Sequence, residues 1–152
     1  NGNELINFID CDEPHVPDGD DTPLTWAKTV IVKDGQFLLM PNCNRMQWES
    51  PGGGIEPGET LDQTALREVL EETCQHATQL TCRGIFKLML KNHQRCEYGA
   101  LYTGTVDDLQ PFIVNNESDR ITLWTYGDEL DDRMSELSQW MIDYVIGSSA
   151  AD

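Results

Sequence analysis

Three glutamates, Glu68, Glu71 and Glu72, are spaced as residues i, i+3 and i+4. On a helix that spacing puts all three carboxylates on one face. Like charges so placed destabilise an isolated helix by roughly 0.2–0.5 kcal/mol per pair. The pattern therefore calls for something positive beside it, and hard divalent cations such as Mg2+ take oxygen ligands. Just upstream lies Gly52-Gly53-Gly54, where backbone without side chains can approach a ligand closely. Together these segments suggest a metal-binding helix face next to a glycine-rich ligand loop. For the three acids taken alone, a solvated acidic face is the alternative.

The helix that must carry these acids is marked at its start. Pro57-Gly58 signals a turn, and Thr60 with Gln63 fits a capping box with Thr60 as N-cap. Leu61, Ala65, Leu66, Val69 and Leu70 form an apolar stripe expected to pack on a sheet, leaving the acids on the other side. Arg67 lies between the two faces, within reach of Glu71 at i+4 or of Glu59 across the turn.

Read in order, Gly53 is followed after five residues by Glu59, then after seven by Arg67-Glu68-Val69-Leu70-Glu71-Glu72. This resembles the Nudix box in order and register, and Trp48-Glu49-Ser50-Pro51-Gly52 resembles its usual lead-in. All charged box positions match. The family pattern ends in Gly and an aliphatic residue, where this chain has Cys74 and Gln75. A glycine there suits a left-handed helix end. Cys74 in that conformation carries a steric cost, so the departure predicts altered helix termination rather than lost chemistry.

Composition narrows the partners. The 152 residues carry 27 acidic and 10 basic side chains, a net charge of −17. Such a field disfavours nucleic-acid polymers and anionic membranes. A small polyphosphate arriving with metal ions remains compatible. No apolar run approaches the roughly 18 residues of a membrane-spanning helix, and no signal-peptide pattern is seen. Cys11, Cys43, Cys74, Cys82 and Cys96 show neither a C-x-x-C pair nor zinc spacing. Reduced thiols and a cytoplasmic location are the expectation.

One domain over residues 1–152 is expected, with an N-terminal segment and acidic loop in 1–23 and a frayed tail in 147–152. The Asp18, Asp20, Asp21 run lacks the downstream Glu of a calcium loop and reads as solvated. Trp26–Val32 and Gln36–Met40 read as strands around an Asp34-Gly35 hairpin turn. Thr81–Leu90, Tyr98–Val106 and Arg120–Tyr126 are further strand candidates. Met134, Leu137, Met141, Tyr144 and Val145 give a last amphipathic helix, closed by Gly147.

The resemblance implies the Nudix fold, an α/β/α sandwich with a mixed β-sheet. It also implies hydrolysis, with Mg2+ or Mn2+, of a diphosphate linkage in a nucleoside diphosphate derivative. Carried over position by position, Glu68, Glu71, Glu72 and the Gly52 carbonyl are the metal ligands, and Arg67 with Glu59 orients the site. Glu117 is the candidate for the extra glutamate the family often takes from a later loop, with Asp119 as runner-up. The general base stays open among Glu68, Glu72 and Glu117.

For the substrate wall, Trp26, Phe86, Tyr98 and Trp48 are candidates, each with a core role as the alternative. His93 and Arg95 are candidates for phosphate or sugar contacts, with a solvated loop as the alternative. Subfamily markers for ADP-ribose, dinucleoside polyphosphates, coenzyme A and NADH are unmatched. Elimination leaves a nucleoside triphosphate or similar small nucleotide, acted on by a monomer or homodimer. A catalytically silent module binding a nucleotide-like ligand is the other reading.

Overall fold

The computed structural model describes residues 3–116 and 118–151. Strands β1 (Asn3–Asp10), β2 (Leu24–Lys33), β3 (Gln36–Asn42), β4 (Gln47–Glu49) and β5 (Gly52–Gly54) precede helix α1 (Leu61–Thr73). They are followed by β6 (Ala77–Leu90), β7 (Arg95–Val106), β8 (Thr122–Trp124), β9 (Arg133–Met134) and helix α2 (Glu136–Ala151). The strand order is β1-β6-β7-β2-β3-β4-β9, with β5 on β2 and β8 on β3. The β2–β7 and β4–β9 pairs are parallel and the others antiparallel, so the sheet is mixed.

Strand alternation assigns the two faces. Val30, Phe37, Leu39, Phe86, Leu88 and Leu101 form one core with Met141, Ile142 and Val145 of α2. Their neighbours Ala27, Ile31, Leu38, Ala100 and Tyr102 belong to the cores that hold Ala65 and Val69 of α1. One helix thus covers each face, giving the α/β/α sandwich. Fully burying a side chain of Val, Leu or Ile size contributes roughly 1.5–3 kcal/mol, so the alternation itself decides which residue faces which helix.

The Asp34-Gly35 turn has both residues at positive φ, 51° and 77°, as a two-residue hairpin with primed geometry requires. Several expectations are corrected. The glycine-rich loop expected at Gly52–Gly54 is itself a short strand paired with β2. The strand expected over Arg120–Tyr126 is confined to Thr122–Trp124. Gly147 does not close the last helix, which continues to Ala151; Asp152 lies outside the described residues.

Leu66 and Leu70 are 42% and 41% exposed, while Thr64, Thr73 and Glu72 are buried in their place. The buried stripe of α1 is therefore rotated from the apolar positions toward the Gly52–Gly54 backbone. In the acidic N-terminal loop, Asp20 is not merely solvated. It accepts hydrogen bonds from the Thr22 N–H and the Tyr98 hydroxyl, and these hold its carboxyl well below the usual range.

Candidate active site

Local hydrogen bonds build the helix that carries the acids. Thr60 accepts from the Gln63 N–H at 3.1 Å, and the Thr60 N–H donates to the Gln63 side chain at 2.9 Å. At the other end Cys74 is left-handed, φ 64° and ψ 17°, and its N–H donates to the Leu70 carbonyl. Its Sγ accepts from the Ile113 N–H at 3.3 Å. The helix termination is therefore not altered as expected: the cysteine ends the helix in the geometry that favours glycine, and its thiol also ties down a later loop. Asn115 of that loop donates to the Glu71 and Glu72 carbonyls.

Arg67 is the hub of the box. Its Nε and Nη2 grip both Glu59 oxygens, at 2.7 and 3.0 Å. Nη1 reaches Glu68 at 2.7 Å and Glu71 at 3.2 Å, and Nη2 donates to the Gly54 carbonyl at 2.8 Å. Hydrogen bonds from Arg67 and then Thr64 pull the Glu59 carboxyl down to about 2, and the Glu59 contact in turn raises Arg67. A bidentate guanidinium–carboxylate pair is the strong, directional form of such a contact. The hub therefore fixes helix, turn and glycine strand in one arrangement.

The three acids do not behave alike. Glu72 is 7% exposed and accepts from the Gly52 N–H at 2.7 Å. The Glu68 side chain is 12% exposed and Glu71 57% exposed. Among the described residues no three His, Cys, Asp or Glu side chains converge enough to hold a metal ion as arranged; Arg67 draws Glu68 and Glu71 to itself. The donor set nonetheless suits a hard cation, being carboxylate and carbonyl oxygens on a capped helix. A Cβ on Gly53 would fall 2.4 Å from the Glu68 carboxyl, so bare backbone and carboxylate meet directly. The fit is good, with Glu68, Glu72 and the Gly52–Gly53 backbone as the core of it.

A cleft of about 1060 Å3 opens beside Gly52, Gly53 and Glu72. One wall is apolar, with Trp26, Leu88, Met134, Leu137 and Trp140; the polar part includes Lys28, Asn42, Arg45, Gln47 and Glu49. Trp26 packs edge-on to Phe86, with ring centroids 5.7 Å apart.

Of the residues expected to line a substrate wall, Trp26 does so. Trp48, Phe86 and Tyr98 do not; they are at most 3% exposed and pack in the core. Trp48 and Tyr98 sit where strand alternation turns them away from the opening, Trp48 spending its indole N–H on Asp131, whereas Phe86 shares the Leu88 face of β6 and packs against Trp26. Arg95 pairs with Glu97 at 3.0 Å and stays off the cleft wall, whereas His93 lines a small adjoining recess. Asp119 pairs with Arg120. Glu117 lies outside the described residues.

Lys28, Glu49 and Trp140 were not singled out from the sequence. The available signal was Lys28, a lone cation within the otherwise uncharged run Leu24–Val32.

Comparison with known proteins points the same way. Residues 23–140 match the family model of the NUDIX domain. A Bacillus subtilis protein provisionally named an 8-oxo-dGTP diphosphatase is 30% identical over 76 residues, covering 49% of this chain and 51% of that protein. The chain thus spans about half the length of that relative. A MutT-like protein of Streptomyces ambofaciens is 28% identical over 111 residues, 73% of this chain and 68% of the relative. The crystal structure of a Bacillus subtilis pyrophosphohydrolase superposes with a TM-score of 0.73 at 21% identity, covering 93% of this chain and 90% of that one, a likeness of fold.

Proposed function

The chain belongs to the Nudix family, and from that premise we propose that it is a metal-dependent pyrophosphohydrolase acting on a nucleoside triphosphate or similar small nucleotide. The observation that carries the reading is the meeting of Glu72 with the Gly52 N–H in a cleft that also has apolar lining. A phosphate chain would lie at the Gly52–Glu72 end and a nucleobase against Trp26 and Trp140. Relatives and a solved neighbour named as an 8-oxo-dGTP diphosphatase and a pyrophosphohydrolase support the reaction class.

When bound, Mg2+ or Mn2+ would neutralise phosphate oxygens and acidify a water, and Glu68, Glu72, the Gly52 carbonyl and, after leaving Arg67, Glu71 would hold it. The chain's own residues have separable tasks. Glu59 clamps Arg67, and Arg67 holds Glu68 against Gly53. Of the described box acids, Glu72 lines the cleft, so it is our assignment for accepting the proton of the attacking water. Geometry comes first for a general base, and Glu72 is held by its bond to Gly52. The apolar wall binds and orients the base by surface burial.

The test is phosphate or pyrophosphate release from a panel of nucleotides, 8-oxo-dGTP included, with and without Mg2+ or Mn2+. Release that requires the metal is expected. No release from any member with either metal would sink the reading.

No helix among the described residues is long and apolar enough to cross a membrane.

A further inference from the structure

The cleft floor carries a charge arrangement that the box does not explain. Four of the chain's ten basic residues, Lys28, Arg45, Lys91 and Arg133, line this one cleft. Four acids, Glu4, Glu49, Glu72 and Glu136, line it too, so the cleft is balanced in a chain of net charge −17 and repels an anion less than the chain's average surface does. Lys28 is the buried member, 8% exposed. Its Nζ donates to the Ser50 carbonyl at 3.1 Å and lies 3.6 Å from Glu49 Oε1. The second distance is too long for a hydrogen bond of ordinary strength.

Glu49 is committed elsewhere. Its Oε2 accepts from Gln47 Nε2 at 2.7 Å and lies 3.5 Å from Arg45, and its Oε1 accepts from Asn42 Nδ2 at 3.4 Å. Burial alone would raise the Glu49 carboxyl, but Lys28, Gln47, Arg45 and Asn42 outweigh it and hold it ionised. An ammonium has three N–H donors, and Lys28 makes one good bond among them.

The position is also telling. Lys28 pairs with Gly52 across β2 and β5. A Cβ on Gly52 would fall 2.6 Å from Lys28 Cδ, so the lysine stem lies on bare Gly52 backbone. The N–H of the same Gly52 holds Glu72. One residue thus separates a buried ammonium from the buried acid of the box.

A purely structural Lys–Glu pair explains little, because apolar replacements of buried pairs are often neutral or stabilising. We propose that Lys28 is a substrate-contacting residue that donates to an oxygen of the diphosphate, with Glu49 as the positioning residue that fixes its ammonium on the cleft floor. The identity of the anion rests on the function proposed above.

The test is calorimetric titration of inorganic pyrophosphate with Mg2+ into the full chain, so that it does not depend on turnover. Removing a hydrogen bond to a charged group should weaken binding about tenfold to a hundredfold in Lys28→Met. Because that variant strands a buried Glu49, the double variant Lys28→Met/Glu49→Gln is measured beside it, with its thermal transition as proof of folding. Lys33→Met, which removes a cation of the same strand that lies outside the cleft beside Asp34, should change affinity less than about threefold, since a distant solvent-screened charge acts weakly.

A folded double variant that binds pyrophosphate within twofold of wild type overturns the proposal. So does a wild type that binds none at millimolar concentration. A wild type that binds through Lys28 but hydrolyses nothing supports the contact and overturns the hydrolase reading instead.

Discussion

Two charge clusters flank Gly52, and they are built on opposite terms. On the α1 side, four carboxylates, Glu56, Glu59, Glu68 and Glu71, lie within 4 Å of one guanidinium. On the cleft floor, two cations, Lys28 and Arg45, share one carboxylate, Glu49. The first cluster has an excess of negative charge and the second an excess of positive charge. A cation is attracted to one and an anion to the other. A metal-bound diphosphate, the ligand proposed above, would be both at once and would be met by both clusters. Exposure differs as well. Glu71 and Glu56 are largely in water, where ion pairs contribute little, whereas Glu49 and Lys28 are buried.

The largest effect should come from removing the acid that touches Gly52. Glu72→Gln keeps an oxygen for the Gly52 N–H, so the fold should persist. If Glu72 accepts the proton, kcat should fall by about 10²–10⁴, with weaker Mn2+ binding in titration. Loss of a repelling charge should leave the melting temperature equal or higher, the usual opposition of stability and activity at a site. Full kcat in this variant would shift the base away from α1.

Gly53→Ala attacks the same cluster by volume. Its Cβ would lie 2.4 Å from the Glu68 carboxyl, which must swing away from Arg67. A misplacement of about 1 Å is worth roughly a hundredfold in rate, so kcat should drop about that much while the melting temperature changes little. Unchanged kinetics would mean that Glu68 works equally well elsewhere.

Acid separates the box cluster from its surroundings more gently. The Glu59 carboxyl falls from an ordinary 4.5 to about 2 in the folded state. Its contribution to stability is therefore complete above pH 4.5 and is lost progressively as pH falls toward 2. Glu59→Gln should flatten that part of the stability curve, read as urea midpoints at pH 6 and pH 3. Parallel curves for the two proteins would show that Arg67 does not depend on Glu59.

The smallest effect belongs to Cys74→Gly. Relief of the left-handed conformation favours glycine by about 1 kcal/mol. Loss of the thiol contact to Ile113 and glycine's greater freedom in the unfolded chain oppose it. The net change in unfolding free energy should stay within about 1 kcal/mol. A larger loss would show that the thiol's tie to the Ile113 loop outweighs the strain.

Much of the box was legible before the fold. The capping of α1 and the Arg67–Glu59 and Arg67–Glu71 contacts follow from residues within about eight positions of one another; the left-handed Cys74 does not, since its side chain argues for a different helix end and only the thiol's contact to the Ile113 loop accompanies the one observed. The apolar stripe was read less well: Leu66 and Leu70 proved half-exposed, because periodicity tells which residues share a face but not which face the sheet covers. The substrate wall was read least well. Trp48, Phe86 and Tyr98 are aromatic residues of suitable type, but only the direction of the strand pleat shows that Trp48 and Tyr98 point inward, and only the packing of Trp26 on Phe86 shows that Phe86 is buried.

By itself the sequence determined the charged helix and its turn, because backbone caps and i, i+4 contacts are short-range and need no partner from elsewhere. The tertiary structure alone decided that Glu72 is buried while Glu71 faces water, that Trp140 joins Trp26 in lining the cleft, and that Lys28 lies on Gly52 beside Glu49. Those contacts join residues 20 or more positions apart, and no local rule of spacing encodes which strand will lie beside which. They come into being only when burial of the two apolar faces of the sheet brings β2, β5 and α2 together.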